Sequence, residues 1–321
     1  MTAIVVADIG GTNARFATVH RLNGSEIGPC HNICNLNCAD YTDFPDLLDA
    51  YLSTLSDRPR YGCLALAGPV QNGIGRLTNV DLTAEESSLA RRFAFKRLTV
   101  INDFAALASS VINLSQDEKT TIQNGHQTSD GPISVMGAGT GFGAALLGRH
   151  SGKWNLTATE AGHQSFAPID ELDFEIVKVL RRKESRVSVE WLMSGPGLSR
   201  LHSALVQIHG EHCDSLPPEE IGLRAIAGSD NRCVNALTTF FSILGGVAGD
   251  MALAHGATGG VYLGGGVLTK NASFLPRSNF LARFSAKGPM SHYTDNIPIH
   301  LIRSEQAALT GAAYWFASMQ P

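Results

Sequence analysis

The chain has 321 residues, enough for two domains or one large one with substantial cores. A hydrophobic share of 44%, a charged share of 17% and a formal charge of −4 are ordinary for a soluble α/β protein. They give no reason to expect nucleic acid or an anionic membrane as a partner. The N-terminus enters an apolar run directly, without the basic region, apolar core and cleavage site of a secretory signal. Six cysteines in a chain this long then read as free thiols in a reducing cytoplasm. The best candidate for a membrane span, Cys233 to His255, contains Asp250 and several glycines and reads as a buried core helix.

In chain order, Ile4 to Ala7 is a buried strand that breaks into Asp8-Ile9-Gly10-Gly11-Thr12-Asn13 and resumes as a strand from Ala14 to Val19. Adjacent glycines let the backbone bend tightly and offer N–H groups to an anion such as phosphate. Asp8, at the mouth of the turn, would repel a bare phosphate, so it calls for a cation between them, and magnesium is the usual one. A strand follows the turn where a P-loop or a dinucleotide turn would open a helix. Two strands flank a hairpin turn near Asn23-Gly24, and a helix runs over about 43–55. Gly62 to Val70 is a buried strand ending in a Gly-Pro turn, and Thr78-Asn79 fall on another short strand. Thr83 is the expected N-cap of a helix reaching Phe93, with Glu86 as its capping-box partner. The strand Leu98 to Ile101 stops at Asn102-Asp103, ahead of an apolar helix from Phe104 to Val111. A carboxylate at the carboxyl end of a buried strand is where open α/β sheets place their ligands.

The polar region Ser115 to Gly131 is the expected domain boundary. Beyond it, Ile133 to Met136, Gly137-Ala138-Gly139-Thr140-Gly141-Phe142-Gly143 and Ala144 to Leu147 repeat the opening pattern of strand, glycine turn with a threonine, and strand. A repeat at this spacing implies two similar domains facing one cleft. Next come Glu160-Ala161-Gly162-His163, a helix over about 171–180, Val189-Glu190, and Ser194-Gly195-Pro196-Gly197 leading into another helix. The Cys233 helix delivers the chain to a glycine-hemmed strand, Gly259 to Val267. Ile297 to Ile302 is a late strand, and Ser304 is the expected cap of a closing helix up to about Ala317.

Three glycine turns beside apolar strands suit a nucleotide held by backbone N–H groups. The first and second would cradle the β- and γ-phosphates, and the third, with Gly264 and Gly265, would let adenosine lie close to the backbone. Any one of them alone is equally well a hairpin turn or a close packing contact. Asp103 is the candidate general base for phosphoryl transfer to an alcohol, or else a cap of the helix that follows it. Glu160, His163 and Glu190 suit a polyhydroxylated ligand, whose hydroxyls both donate and accept. Cys30, Cys34 and Cys38 fit neither a zinc pair nor an iron–sulfur run, and read as free thiols in a strand and loop.

Taken together, Asp8-Ile-Gly-Gly-Thr-Asn-Ala-Arg15, Ile101-Asn102-Asp103-Phe104, Gly137 to Gly143, Glu160-Ala-Gly-His163, Ser194-Gly-Pro-Gly-Leu198 and Gly259 to Val267 resemble the bacterial glucokinases of the proteobacterial form. The motifs stand in that family's order over essentially the whole chain. The resemblance implies an α/β, two-domain, actin-like ATPase (ribonuclease H-like) hexokinase fold with an interdomain cleft. Its small domain would be 1–110 plus 304–321 and its large domain 111–303. It further implies ATP-dependent phosphorylation of glucose, with magnesium, in a cytoplasmic homodimer. Carried over by motif, Asn102 and Asp103 would bind the sugar, with Asp103 as base, and Glu160, His163 and Glu190 would hold the ring hydroxyls. Asp8 would act on magnesium through water. Gly10, Gly11, Thr12 and Asn13, with Gly139, Thr140 and Gly141, would hold phosphates. Ala161 departs from the glycine common among relatives, and its methyl would crowd the turn that presents His163. The chain lacks the cysteine-rich zinc motif of the repressor and kinase family of sugar kinases, and Asp8 stands too near the start for an N-terminal helix-turn-helix. A kinase for another hexose and a silent sugar-sensing regulator are the alternative readings.

Overall fold

The computed structural model describes residues 2–22, 26–77 and 81–318. The expected hairpin turn near Asn23-Gly24 and the expected short strand at Thr78-Asn79 fall outside the described residues. The chain divides into two compact units, Met1–Glu118 with Leu156–Ala158 and Ser304–Pro321, and Lys119–Asn155 with Thr159–Arg303.

The first unit is built on β1 (Thr2–Ile9), β2 (Asn13–Arg21), β3 (Ile27–Asn37), β4 (Tyr61–Leu66), β5 (Val70–Gln71), β6 (Ile74–Arg76), β7 (Thr83–Glu85) and β8 (Arg97–Asn102), with α1 (Phe44–Leu52), α2 (Glu86–Arg92) and α3 (Asp103–Ser110). Its main sheet has the order β3-β2-β1-β4-β8, with β2 antiparallel to β1, and with β4 and β8 parallel to it. The run Ile4 to Ala7 is continuously apolar because both faces of β1 are covered. Val5, Ala7 and Ile9 join the core under α1, while Ile4 and Val6 join the core under α3.

The second unit carries β9 (Lys119–Gln123), β10 (Ile133–Ala138), β11 (Phe142–His150), β12 (Lys153–Thr159), β13 (Gly260–Gly264) and β14 (Ile299–Ile302). Its helices are α4 (Glu171–Leu180), α5 (Val189–Leu192), α6 (Gly195–Ile208), α7 (Pro218–Ala227), α8 (Asn231–His255), α9 (Gly266–Lys270), α10 (Phe280–Ser285) and α11 (Ser291–Thr294). The sheet order is β12-β11-β10-β13-β14-β9. Here too the opening strand, β10, has an antiparallel neighbour on one side and parallel strands β13 and β14 on the other. The repeat seen in the sequence is therefore a repeat of topology. The last helix, α12 (Ala307–Ser318), returns to the first unit and packs on α3 and β1.

The first unit continues to Glu118, past the expected 110. Glu118 closes a turn by accepting hydrogen bonds from the Ser115 N–H and hydroxyl, and its own carbonyl accepts from the Ser304 N–H at 3.3 Å. The chain thus leaves and re-enters the first unit at adjacent residues. The polar stretch read as a boundary also contains β9, whose edge pairing with β14 leaves much of it exposed.

Two expected caps are not made. Thr83 does not start a helix, because Thr83–Glu85 pairs with β6 as the third strand of a small antiparallel sheet. Helix α2 begins only at Glu86, and the Glu86 carboxylate accepts from the Val100 N–H at 2.6 Å, which takes it out of any capping box. Helix α12 begins at Ala307, three residues after Ser304.

The candidate membrane span is α8, the core helix of the second unit, with 72% of its most apolar window buried. Its glycines let α10 approach closely: a Cβ at Gly245 would stand 2.1 Å from the Phe280 carbonyl, and one at Gly249 would stand 2.4 Å from that of Phe284.

On β14, His300 is 8% exposed, shares a hydrogen bond with the Thr121 hydroxyl at 3.1 Å and lies against the Tyr262 ring. Burial, helped by the charge of Lys119, pushes its pKa down to about 4. The unfolded chain takes up a proton near pH 6.5, and the folded ring resists until about pH 4. Stability therefore falls as pH drops through that window, and this ring accounts for about 2–3 kcal/mol of the loss. His300→Gln is expected to show a shallower decline in denaturant-derived stability between pH 7 and pH 4.5 than the parent, and equal slopes would refute the assignment.

Candidate active site

In the first unit, β1, β4 and β8 run parallel, so Asp8 with the Gly10–Asn13 turn, the Ala67-Gly68 bend and the Asn102-Asp103 step share one carboxyl edge. One strand separates β1 from β8, which puts Asp8 and Asp103 on the order of 10 Å apart across the edge. Asn102, not Asp103, is the N-cap of α3. Its side-chain oxygen accepts from the N–H groups of Phe104 and Ala105, and its amide donates to the Gly68 carbonyl at 3.1 Å. One amide hydrogen of Asn102 is left for a ligand. Asp103 occupies the first turn of α3, where the helix N-terminus favours a carboxylate, and accepts from the Phe104 N–H at 2.9 Å.

Burial pushes the Asp8 carboxyl above its ordinary range, opposed by the guanidinium of Arg15, its neighbour across the β1–β2 ladder. A half-buried carboxylate beside a glycine turn is a donor that a hard, oxygen-seeking cation takes. Among the described residues no group of three or more His, Cys, Asp or Glu side chains is gathered to hold a metal. A magnesium ion near Asp8 would complete its shell with water and phosphate oxygens. Arg15 itself is fixed by Asn35 and by the Glu305 carbonyl ahead of α12.

The two glycine turns close alike. In the first, the Gly10 N–H donates to the Asn13 carbonyl at 2.9 Å; in the second, the Gly139 N–H donates to the Gly141 carbonyl at 2.8 Å. The leading glycine of each thus has its amide committed inside the turn. Gly11 and Thr12 in the first turn, and Thr140 and Gly141 in the second, have amides with no internal partner among the described residues. The second turn is anchored by Gly195, whose N–H donates to the Gly139 carbonyl at 2.8 Å, and by Glu190, whose carboxylate accepts from the Phe142 N–H at 2.9 Å. A Cβ at Gly141 would stand 2.5 Å from that carboxylate.

Glu190 rides on α5, steadied by Arg200. The Arg200 guanidinium lies 3.7 Å from the centre of the Trp191 ring and donates to the Trp191 carbonyl. Glu160 and His163 lie 4.0 Å apart on one exposed turn, and Arg186 donates to the His163 carbonyl. Ala161 is buried in the core of the second unit. The tight position is its neighbour Gly162, where a Cβ would meet the Phe142 carbonyl at 2.2 Å. At the third turn, a Cβ on Gly265 (φ +93°) would lie 2.4 Å from the Ala138 carbonyl, and one on Gly137 would lie 2.0 Å from that of Gly264. Close approach of β10 to β13 thus requires these glycines, whereas a Cβ on Gly266 would meet open space.

Cys30, Cys34 and Cys38 do not gather. Asn32, at φ +49°, bulges β3, so Cys34 pairs with Phe16 and Cys30 with Val19, on opposite faces of the sheet. Cys38, just past β3, is 1% exposed beside the first glycine turn. Cys38, Gly195 and Arg15 had no function assigned from sequence. For Gly195 the Ser194 N-cap spacing was a usable signal, since Ser194 accepts from the Gly197 N–H.

Two ribonuclease H-like sheets, with glycine turns after β1 and β10, place the protein among the sugar kinases of the actin-like ATPase class. A glucokinase family model matches residues 5–319. The chain is 38% identical over 319 residues to a glucokinase of Saccharophagus degradans, covering 98% of each. The crystal structure of a glucokinase from an Antarctic psychrotroph superposes with a TM-score of 0.87 at 37% identity, covering 98% of this chain and 99% of that one. The glucokinase of Balamuthia mandrillaris, solved with glucose, shares the fold with a TM-score of 0.84 at 19% identity, over 98% of this chain and 93% of that one. The chain belongs to the glucokinase family.

Proposed function

We propose that the chain transfers the γ-phosphoryl group of ATP to the 6-hydroxyl of glucose. The observation that carries this reading is the shared carboxyl edge of β1 and β8, with a phosphate-type glycine turn at one strand end and Asp103 at the other. Asp103 receives the hydroxyl proton as the oxygen attacks phosphorus and the bond to ADP breaks. Because the transition state is loose, its larger contribution is to orient the hydroxyl. Asn102 adds its remaining amide hydrogen to a ring hydroxyl, and Glu160, His163 and Glu190 take the others. The free amides of Gly11, Thr12, Thr140 and Gly141 receive phosphate oxygens, and adenosine lies near Gly264 and Gly265. Magnesium, when bound near Asp8, neutralises charge on the phosphates. A cytoplasmic homodimer is the expected form.

A coupled ADP-release assay over a panel of sugars tests the proposal. Glucose is expected to give a kcat/KM at least about tenfold above fructose, mannose and amino sugars, since a lost hydroxyl contact leaves buried polar groups unpaired. A faster rate with another hexose would reassign the substrate. Absence of ADP release with every sugar would favour the sensor.

A further inference from the structure

The segment Cys30 to Cys38 has no part in the chemistry above, yet its last residue holds the first glycine turn at two points. The Cys38 N–H donates to the Thr12 carbonyl at 2.8 Å, and the Cys38 thiol donates to the Gly10 carbonyl at 3.4 Å. Burial pushes the Cys38 pKa up, so the sulfur keeps the proton it donates.

A trans peptide points its C=O and its N–H in opposite directions. Fixing the Gly10 carbonyl toward Cys38 therefore turns the Gly11 N–H, in the same peptide plane, away from it. Fixing the Thr12 carbonyl does the same for the Asn13 N–H. Two glycines in succession would otherwise leave these planes free to rotate, because glycine restrains its backbone least. We propose that Cys38 is a positioning residue for the nucleotide: it locks the peptide planes of the Gly10–Asn13 turn so that their amides face the phosphates. This rests on the reading of that turn as a phosphate grip. The backbone bond from Cys38 survives any substitution, so the thiol bond at Gly10 is the part that mutation can remove.

Cys38→Val keeps the volume without a donor, and Cys38→Ser keeps a donor. Binding of the non-hydrolysable analogue AMPPNP is measured by calorimetry, alongside KM for ATP, KM for glucose and Tm. The valine variant is expected to weaken AMPPNP binding and raise KM for ATP by about two- to tenfold, the range for one modest hydrogen bond. KM for glucose should stay within about twofold. Serine should recover at least part of the loss. An ATP KM within twofold of the parent for Cys38→Val, or equal rises in both KM values, would overturn the proposal. Gly11→Pro, which deletes the amide itself, separates the two layers. If it leaves AMPPNP binding unchanged, the phosphate grip and the anchor fall together; if it weakens binding while Cys38→Val does not, only the anchor falls.

Discussion

Asp103→Ala is expected to lower kcat by about 10²–10⁴-fold, the usual contribution of a positioned acid or base. Affinity for AMPPNP should change by less than about twofold, because nucleotide contacts are assigned to the glycine turns. The structure makes this test cleaner than the sequence suggested. Asn102, not Asp103, supplies the cap that starts α3, through two N–H acceptances. Removing the Asp103 carboxylate therefore leaves the helix start in place, while giving up the bond from the Phe104 N–H and a favourable position in the first turn, the latter a few tenths of a kcal/mol to about one. Asp103→Asn keeps the shape and loses the basicity, so a comparable loss in both variants would assign the effect to proton transfer. A loss in alanine alone would assign it to orientation. A substantial rate in Asp103→Ala would remove Asp103 as base.

Gly311→Ala should destabilise the fold by about 3 kcal/mol, lowering Tm by about 4–5 °C. Alanine is the better helix former by about 1 kcal/mol, so propensity alone predicts stabilisation. Packing decides otherwise. A Cβ at Gly311 would lie 1.8 Å from the Ala106 carbonyl oxygen and 3.0 Å from the Ser110 N, both backbone atoms of α3 that no rotamer change can move aside. Helix α12 must retreat from α3, loosening the core formed by Ala105, Ala106, Leu309, Ala312, Ala313 and Phe316. Because α3 begins at Asp103, the same retreat should lower kcat more than it raises KM for ATP. Gly148→Ala, whose new methyl meets nothing within 4 Å, serves as the control and should stay within about 0.5 kcal/mol of the parent. A Gly311→Ala protein with the parent's Tm would refute the clash.

Much of the architecture could be read from local pattern. The apolar runs at 4–7, 98–101 and 133–136 became β1, β8 and β10, and the glycine turns after β1 and β10 are where the sequence put them. Helix α4 fell on its predicted span because Asp170, the N-cap, and its apolar face are both local signals. The failures share a cause. Thr83 and Glu86 make a sound capping box in isolation, but β6 offered Thr83 a ladder and Val100 offered Glu86 a donor from 14 residues away. Strand β9 lies at a sheet edge and sends only Ile122 to the core, so no alternation marked it.

The sequence by itself determined the class of chemistry: a carboxylate ahead of paired glycines, a second glycine turn and an Asn-Asp step after a buried strand define a phosphate grip and an acceptor side. These signals are short in range, and glycine, aspartate and asparagine carry their physics wherever they stand. Only the tertiary structure decided how each group is employed. It committed Asn102 to capping α3, tied Glu190 to the Phe142 amide, gave Gly137 and Gly265 to strand contact, and brought Cys38 beneath Gly10. Apart from the Asn102 cap, which is local, those pairings join residues far apart along the chain. They depend on backbone carbonyls and amides that every residue type possesses, so the sequence carries no mark of them until the sheets form.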